Sequence, residues 1–239
     1  MLKLAVSGCR GRMGQRIADL ASQDKQLKVV TLLESPTHPQ AHGSIGGIPV
    51  NTDASALKGA NVLIEFTTTG ATLEHLAVCQ KLGVKMVIGT TGMTPPQMRQ
   101  IKKASAKIPI VFSSNMSVGV NIVFSIAREL ARQTAGKYTI RMSESHHIHK
   151  KDAPSGTAKT LAHIVETAAK GKVQDIQSIR EGEIIGDHTI IFESPVDTIT
   201  LTHHAKTRDI FAAGSLVAAK FLAKKKRGLF NMEEVLAEK

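Results

Sequence analysis

Apolar and polar positions alternate along the first half of the chain in two recurring forms: short continuous apolar runs, and longer stretches with helical spacing. Lys3 to Val6 is such a run, broken at Ser7-Gly8, after which Met13, Ile17, Leu20 and Ala21 recur at helical intervals. A second β-rich run, Leu27 to Leu33, closes at Glu34-Ser35-Pro36, where proline cannot continue a central strand. The alternation repeats. Val62 to Phe66 predicts a strand, Ala71 to Leu82 a helix and Lys85 to Ile88 a strand; after Gly89-Thr90-Thr91-Gly92 comes a helix opening on Pro95-Pro96, and then a strand from Pro109 to Phe112. Strands alternating with helices imply an α/β fold, a Rossmann-like doubly wound parallel sheet.

Beyond Ser113-Ser114-Asn115 the pattern changes. Val118 to Ala135 reads as one long helix, and Lys137 to Ser143, Val173 to Arg180, His188 to Glu193 and Asp197 to His203 read as strands of antiparallel character. Ile210 to Ala223 is helical again. The expected organisation is a nucleotide-type domain of residues 1–117 plus 209–239, interrupted by an α+β domain of residues 118–208 with a mixed sheet.

Composition narrows the partners. The 239 residues carry 31 Lys plus Arg against 20 Asp plus Glu, a net charge of +11, which favours anionic ligands. With no Trp, one Tyr and seven Phe, stacking platforms for single-stranded nucleic acid are not expected. Two cysteines, Cys9 and Cys79, form no disulfide framework or zinc motif, and no run approaches the length of a membrane span. The expectation is a cytoplasmic protein that binds neither nucleic acid nor membrane.

Two segments carry chemistry. Gly8-Cys9-Arg10-Gly11-Arg12-Met13-Gly14 sits between a strand and a helix, where glycine lets backbone approach a pyrophosphate and helix N–H groups point at it. Its spacing departs from G-x-G-x-x-G, but Glu34 lies 20 residues after Gly14, at a strand end where a carboxylate can accept a ribose diol. Glu34 opposes a 2′-phosphate whereas Arg10 and Arg12 attract one, so NADH, NADPH or both are expected as cofactors. Cys9 has a reactive reading at the helix start and a plainer one as core.

The second segment runs from Glu144-Ser145-His146-His147-Ile148-His149-Lys150-Lys151-Asp152 through Ala153-Pro154-Ser155-Gly156-Thr157-Ala158. Ser155, Gly156 and Thr157 open a helix whose free N–H groups can hold a carboxylate, beside lysines and imidazoles able to move a proton. A metal held by His146, His147 and His149 is not expected, since on a strand His147 and His149 would share a face and His146 would point away. Asp152 either orients a base or caps the turn.

These motifs, with Phe66-Thr67, Asn115-Met116-Ser117-Val118-Gly119-Val120-Asn121, Arg180-Glu181-Gly182, Gly186-Asp187-His188 and Gly228-Leu229-Phe230, resemble the 4-hydroxy-tetrahydrodipicolinate reductase (dihydrodipicolinate reductase) family over almost the whole chain. The resemblance implies an oxidoreductase of diaminopimelate and lysine biosynthesis that uses NAD(P)H on a cyclic dicarboxylate. It further implies a second domain that binds substrate and assembles a homotetramer. At matching positions it implies cofactor contacts from Gly8, Cys9, Arg10, Gly11, Arg12, Met13, Glu34, Gly89, Thr90, Thr91, Ser113, Ser114, Asn115 and Met116. His146 and Lys150 would be catalytic, with substrate held by His147, Gly156 and Thr157 and by the Ser155 helix start. The alternatives are another two-domain amino- or hydroxy-acid dehydrogenase and a dinucleotide-sensing module without turnover.

Overall fold

A computed structural model describes residues 1–238. The elements in chain order are β1 (Leu2–Ser7), α1 (Arg12–Gln23), β2 (Leu27–Leu33), β3 (Ser44–Ile45), β4 (Ile48–Asn51), β5 (Val62–Glu65), α2 (Thr69–Leu82), β6 (Lys85–Ile88), α3 (Pro95–Ala104), β7 (Pro109–Phe112) and α4 (Val118–Thr134). They continue with β8 (Thr139–His146), α5 (Gly156–Ala169), β9 (Asp175–Arg180), β10 (Asp187–Glu193), β11 (Thr198–His204), α6 (Asp209–Ala223), β12 (Gly228–Phe230) and α7 (Met232–Ala237). The chain divides into two compact units, residues 1–117 with 211–239 and residues 118–210.

The first unit is built on an eight-stranded sheet of order β12-β7-β6-β5-β1-β2-β4-β3, in which every pairing except β3/β4 is parallel. All four residues of β5 are buried, as a strand covered on both faces requires. Helix boundaries follow local chemistry. Thr94 and Gln97 form a reciprocal capping box ahead of Pro95-Pro96 at the start of α3, and α2 ends on Gly83 in the left-handed region (φ 72°). Gly214 of α6 lies where a Cβ would stand 1.7 Å from the Met116 carbonyl oxygen, so only glycine lets this helix pack on the segment after β7. The run Lys224-Lys225-Lys226-Arg227 follows the end of α6, exposed except at Lys225, and leads into β12. There Lys225 pairs with Glu238 at 2.6 Å and sits over the Phe221 ring, because the short strand beyond it docks on β7.

The second unit has a four-stranded sheet of order β11-β10-β8-β9. The sheet is mixed, as expected, although its strands individually read as antiparallel in character. β10 is antiparallel to both β8 and β11, but β8 and β9 are parallel, because α5 carries the chain back across the sheet between them. One face is apolar over two ranks, Ile176–Met142–Ile190–Leu201 and Ile140–Phe192–Ile199, and packs with Phe124, Leu161 and Val165 of α4 and α5. The next rank on the same face is Ser178–Glu144–His188–His203. The core ends there and a buried polar layer begins.

Candidate active site

In the first unit, Gly8 takes φ +62°, and the Gly11 N–H donates to its carbonyl at 2.9 Å. A Cβ on Gly14 would lie 2.2 Å from the Gly8 oxygen. Helix α1 has no side-chain cap on its first turn, so the N–H groups that open it are free for an anion. Gly8, Gly11, Glu34, His38, Phe66, Thr67 and His75 line one cleft of about 480 Å³. Both Glu34 oxygens accept backbone donors, Arg10 N–H at 2.9 Å and Ser35 N–H at 2.8 Å. The Arg10 guanidinium is held by the Gln40 and His42 carbonyls, each at 3.2 Å. A close-approach loop, an uncapped helix start and a carboxylate at the neighbouring strand end fit a dinucleotide.

The other cofactor candidates occupy the ends of β6 and β7, outside that cleft. Thr90 is buried and its hydroxyl accepts the Thr67 N–H at 3.0 Å; the Asn115 side chain accepts the Ser117 N–H at 2.8 Å, and Met116 is buried. Their side chains build the loops, which leaves backbone and the more exposed Thr91 and Ser114 for contact. The reactive reading of Cys9 fails: it is 1% exposed, and burial, reinforced by Glu34, pushes its thiol up to about 11.

The second unit gathers the histidine-rich segment. β8 runs to His146, three residues beyond the expected strand end at Ser143, and the chain then turns: His147 N–H donates to Ile184 O at 2.7 Å, and Lys150 N–H to His147 O at 3.1 Å. His147 and His149 therefore lie in a turn, where the shared strand face expected for them does not exist. The residues that do share a strand face are Glu144 and His146. His146 Nδ1 is 2.5 Å from Glu144 Oε2, while Oε1 accepts Arg180 at 2.8 Å and the Ser155 N–H at 3.2 Å. Arg180 also donates to the carbonyls of Lys150 and Asp152, at 3.3 and 2.5 Å, and so ties the turn to the buried carboxylate.

Lys150 Nζ lies 2.7 Å from Asp152, whose carboxyl is held below its ordinary value chiefly by that contact. This settles the two readings of Asp152 in favour of partnering the lysine. Ser155 caps α5, accepting the Ala158 N–H at 3.1 Å, and its hydroxyl also meets His188 Nε2 at 3.1 Å. Gly156 is exposed and Thr157 half-buried at the same helix start. His147 Nε2 is 3.4 Å from Arg208, and its Nδ1 is buried without a partner. Burial lowers His146 below its ordinary value against the opposing pull of Glu144, and lowers His188 to about 4. Burial thus favours the neutral form of both imidazoles.

Glu144, Arg180 and His188 were given no role from sequence. Arg180 and His188 lie 36 and 44 positions from Glu144 and meet it only through strand register. Glu144 was legible as a partner of His146 from its i, i+2 spacing, had the strand been carried to His146. Glu144, His146 and His188 also place possible metal-ligand atoms within 4.8 Å of one another, a different trio from the three neighbouring histidines. Among the described residues no helix is long and apolar enough to cross a membrane.

Comparison with known proteins gives this arrangement a family. Residues 2–116 match the model for the dihydrodipicolinate reductase N-terminus and residues 119–236 that for its C-terminus. The 4-hydroxy-tetrahydrodipicolinate reductases of Nitrosomonas europaea and Nitrosomonas eutropha are 39% and 40% identical, over 98% and 99% of this chain and 98% of each relative. A dipicolinate-bound dihydrodipicolinate reductase from Paenisporosarcina sp. TG-14 shares the fold at a TM-score of 0.82, with 23% identity and 97% of each chain covered. An amine dehydrogenase from Mycobacterium smegmatis reaches 0.65 at 12% identity, over 98% of this chain and 95% of its own, so the architecture is wider than one activity. It is the sequence matches, spanning both units, that decide: the chain belongs to the dihydrodipicolinate reductase family.

Proposed function

We propose that the protein reduces 4-hydroxy-tetrahydrodipicolinate to tetrahydrodipicolinate with NAD(P)H, a step of diaminopimelate and lysine biosynthesis. The observation that carries this reading is the turn between β8 and α5, where Lys150 and His146, the latter held by Glu144, precede a helix start whose cap, Ser155, is tied to the same carboxylate. Loss of the 4-hydroxyl as water gives the unsaturated ring, and a nicotinamide cofactor would supply the hydride that goes to its C4. The protein's own work is positioning and charge. Gly8, Gly11 and the first turn of α1 would hold the pyrophosphate, and Glu34 the adenosine ribose. Gly156 and Thr157 would hold one carboxylate through backbone N–H and hydroxyl donors, with His147 near the other. The balancing proton comes from the His146/Lys150 pair. Because burial lowers His146 and its Nδ1 faces Glu144, Lys150 would be the store of that proton and His146 Nε2 the atom that passes it on.

The test is NADH consumption when the protein is coupled to the pathway's preceding synthase. Consumption that depends on the synthase supports the reading, and none with an active synthase overturns it.

Both cofactors should serve. Glu34 meets the ribose hydroxyls of NADH, while Arg10, held beside it on the 40–42 loop, and exposed Arg12 offer charge to a 2′-phosphate. Wild-type kcat/KM values for NADH and NADPH are expected within about a thousandfold, roughly 4 kcal/mol. Arg10→Ala should lower the NADPH value about tenfold or more and leave the NADH value nearly unchanged. Equal losses for both would assign Arg10 to loop structure alone.

A further inference from the structure

The polar rank that closes the core of the second sheet contains a carboxylate to which the proposed chemistry has so far given no part. Glu144 is 1% exposed, and each of its oxygens has a defined task. Oε1 accepts the Arg180 guanidinium and the Ser155 N–H, which leaves Oε2 to His146 Nδ1 at 2.5 Å. Burial by itself would raise this carboxyl, but Arg180, Ser178 and His146 together outweigh it and hold it below its ordinary value. An ionised carboxylate only accepts, so the proton on the His146 ring must sit on Nδ1. Nε2 is then the free atom, beside Gly186, where a Cβ would stand 3.0 Å from it.

We infer that Glu144 is a positioning residue: clamped by Arg180, its carboxylate fixes His146 as the Nδ1–H tautomer and presents Nε2 as the atom that exchanges the reaction's proton. The inference rests on the proposed reductase activity and adds a residue to it. The charged and titratable groups facing this pair are Arg180 from β9, His188 from β10 with its ring edge-on to His146 at 5.2 Å, and Lys150 from the turn after β8. Helix α5 presents the uncharged Ser155.

Glu144→Gln tests it. A glutamine of the same shape satisfies Arg180 and Ser155 with its carbonyl and must then turn its amide toward Nδ1, which moves the ring proton to Nε2. The expected result is a kcat lower by about 100-fold or more, with KM and NADH affinity near wild type, because a wrong tautomer stops proton transfer without disturbing binding. Nitrogen NMR of the labelled His146 ring should show Nδ1–H in the wild type and Nε2–H in the variant. Its titration should move to lower pH, since the carboxylate that supported the imidazolium is gone.

Glu144→Asp, which keeps the charge, should retain the Nδ1–H tautomer and the wild-type pH dependence at a reduced rate. This holds even where the glutamine variant folds poorly. A glutamine variant with wild-type kcat, an Nε2–H tautomer in the wild type, or equal damage in both variants with unshifted pH profiles would overturn the inference. A wild type without reductase activity would instead overturn the functional reading, and the ring tautomer would still decide the place of Glu144.

Discussion

Lys150→Ala is expected to lower kcat by about 10²- to 10⁴-fold while leaving NADH affinity unchanged, the range associated with loss of a positioned proton donor. The side chain is well placed for a clean deletion. Its backbone is anchored independently, by the N–H bond to His147 O at 3.1 Å and by Arg180 on its own carbonyl at 3.3 Å, so truncation removes the ammonium without releasing the turn. The pair it makes with Asp152 is on a carboxylate that is half exposed, and its loss costs about 1 kcal/mol or less of stability. Lys150→Arg separates two contributions. Arginine keeps the positive charge but does not release a proton at any working pH, so KM should recover toward wild type while kcat stays low. Full activity in the alanine variant would remove Lys150 from proton transfer and return the role to His146.

The second large effect is expected at the glycine loop. Gly14→Ala places a Cβ 2.2 Å from the Gly8 oxygen, 2.7 Å from the Cys9 Cα and 2.8 Å from the Gly8 carbonyl carbon, and all three are backbone atoms that cannot rotate away. The start of α1 must retreat from the loop, and the N–H groups proposed to hold the pyrophosphate retreat with it. Weakening of NADH binding by about 100-fold or more, roughly 2.7 kcal/mol, is expected in a fluorescence titration. Gly70→Ala is the matched control, since a Cβ there meets nothing within 4 Å and the backbone is not left-handed. It should bind NADH as the wild type does. Normal binding by the Gly14 variant would mean that the loop is not the phosphate site.

Much of this arrangement is written in local sequence. The alternation of buried runs and amphipathic stretches is enough to place β1, β2, β5, β6 and β7 and the helices between them, because strands covered on both faces are continuously apolar and leave no other assignment. The glycine loop and the Ser155 cap are equally local, each requiring only a few adjacent residues of the right type. What escapes is short or distant. β3 and β12 have two and three residues, too few for any period, and β12 is hidden behind four consecutive basic residues. The parallel pairing of β8 with β9 depends on where α5 returns the chain, which alternation along a single strand does not encode. The same distance hides the site's inner layer. Glu144, Ser178, His188 and His203 form one row across four strands, and nothing near Glu144 in the chain announces Arg180 or His188. The lysines and imidazoles that face a ligand are visible in sequence, whereas the groups that hold them belong to the register of the sheet.

Several cations have defined partners within the fold. Arg10 is spent on the loop beside Glu34, Arg180 on Glu144 and the turn, Lys150 on Asp152, and Lys225 on Glu238.

The central claim, hydride transfer to the ring carbon of a cyclic dicarboxylate with a proton supplied by the second unit, is tested most directly by tracing the hydride. NADH deuterated at C4 of its nicotinamide is to be supplied with substrate generated by the preceding synthase, and the product analysed by mass spectrometry and NMR. One deuterium at C4 of tetrahydrodipicolinate per NADH consumed, with the neighbouring carbon taking its hydrogen from solvent, is the predicted result. Oxidation of NADH without deuterium in the ring, or ready oxidation of a saturated amino acid in place of ring reduction, would contradict it.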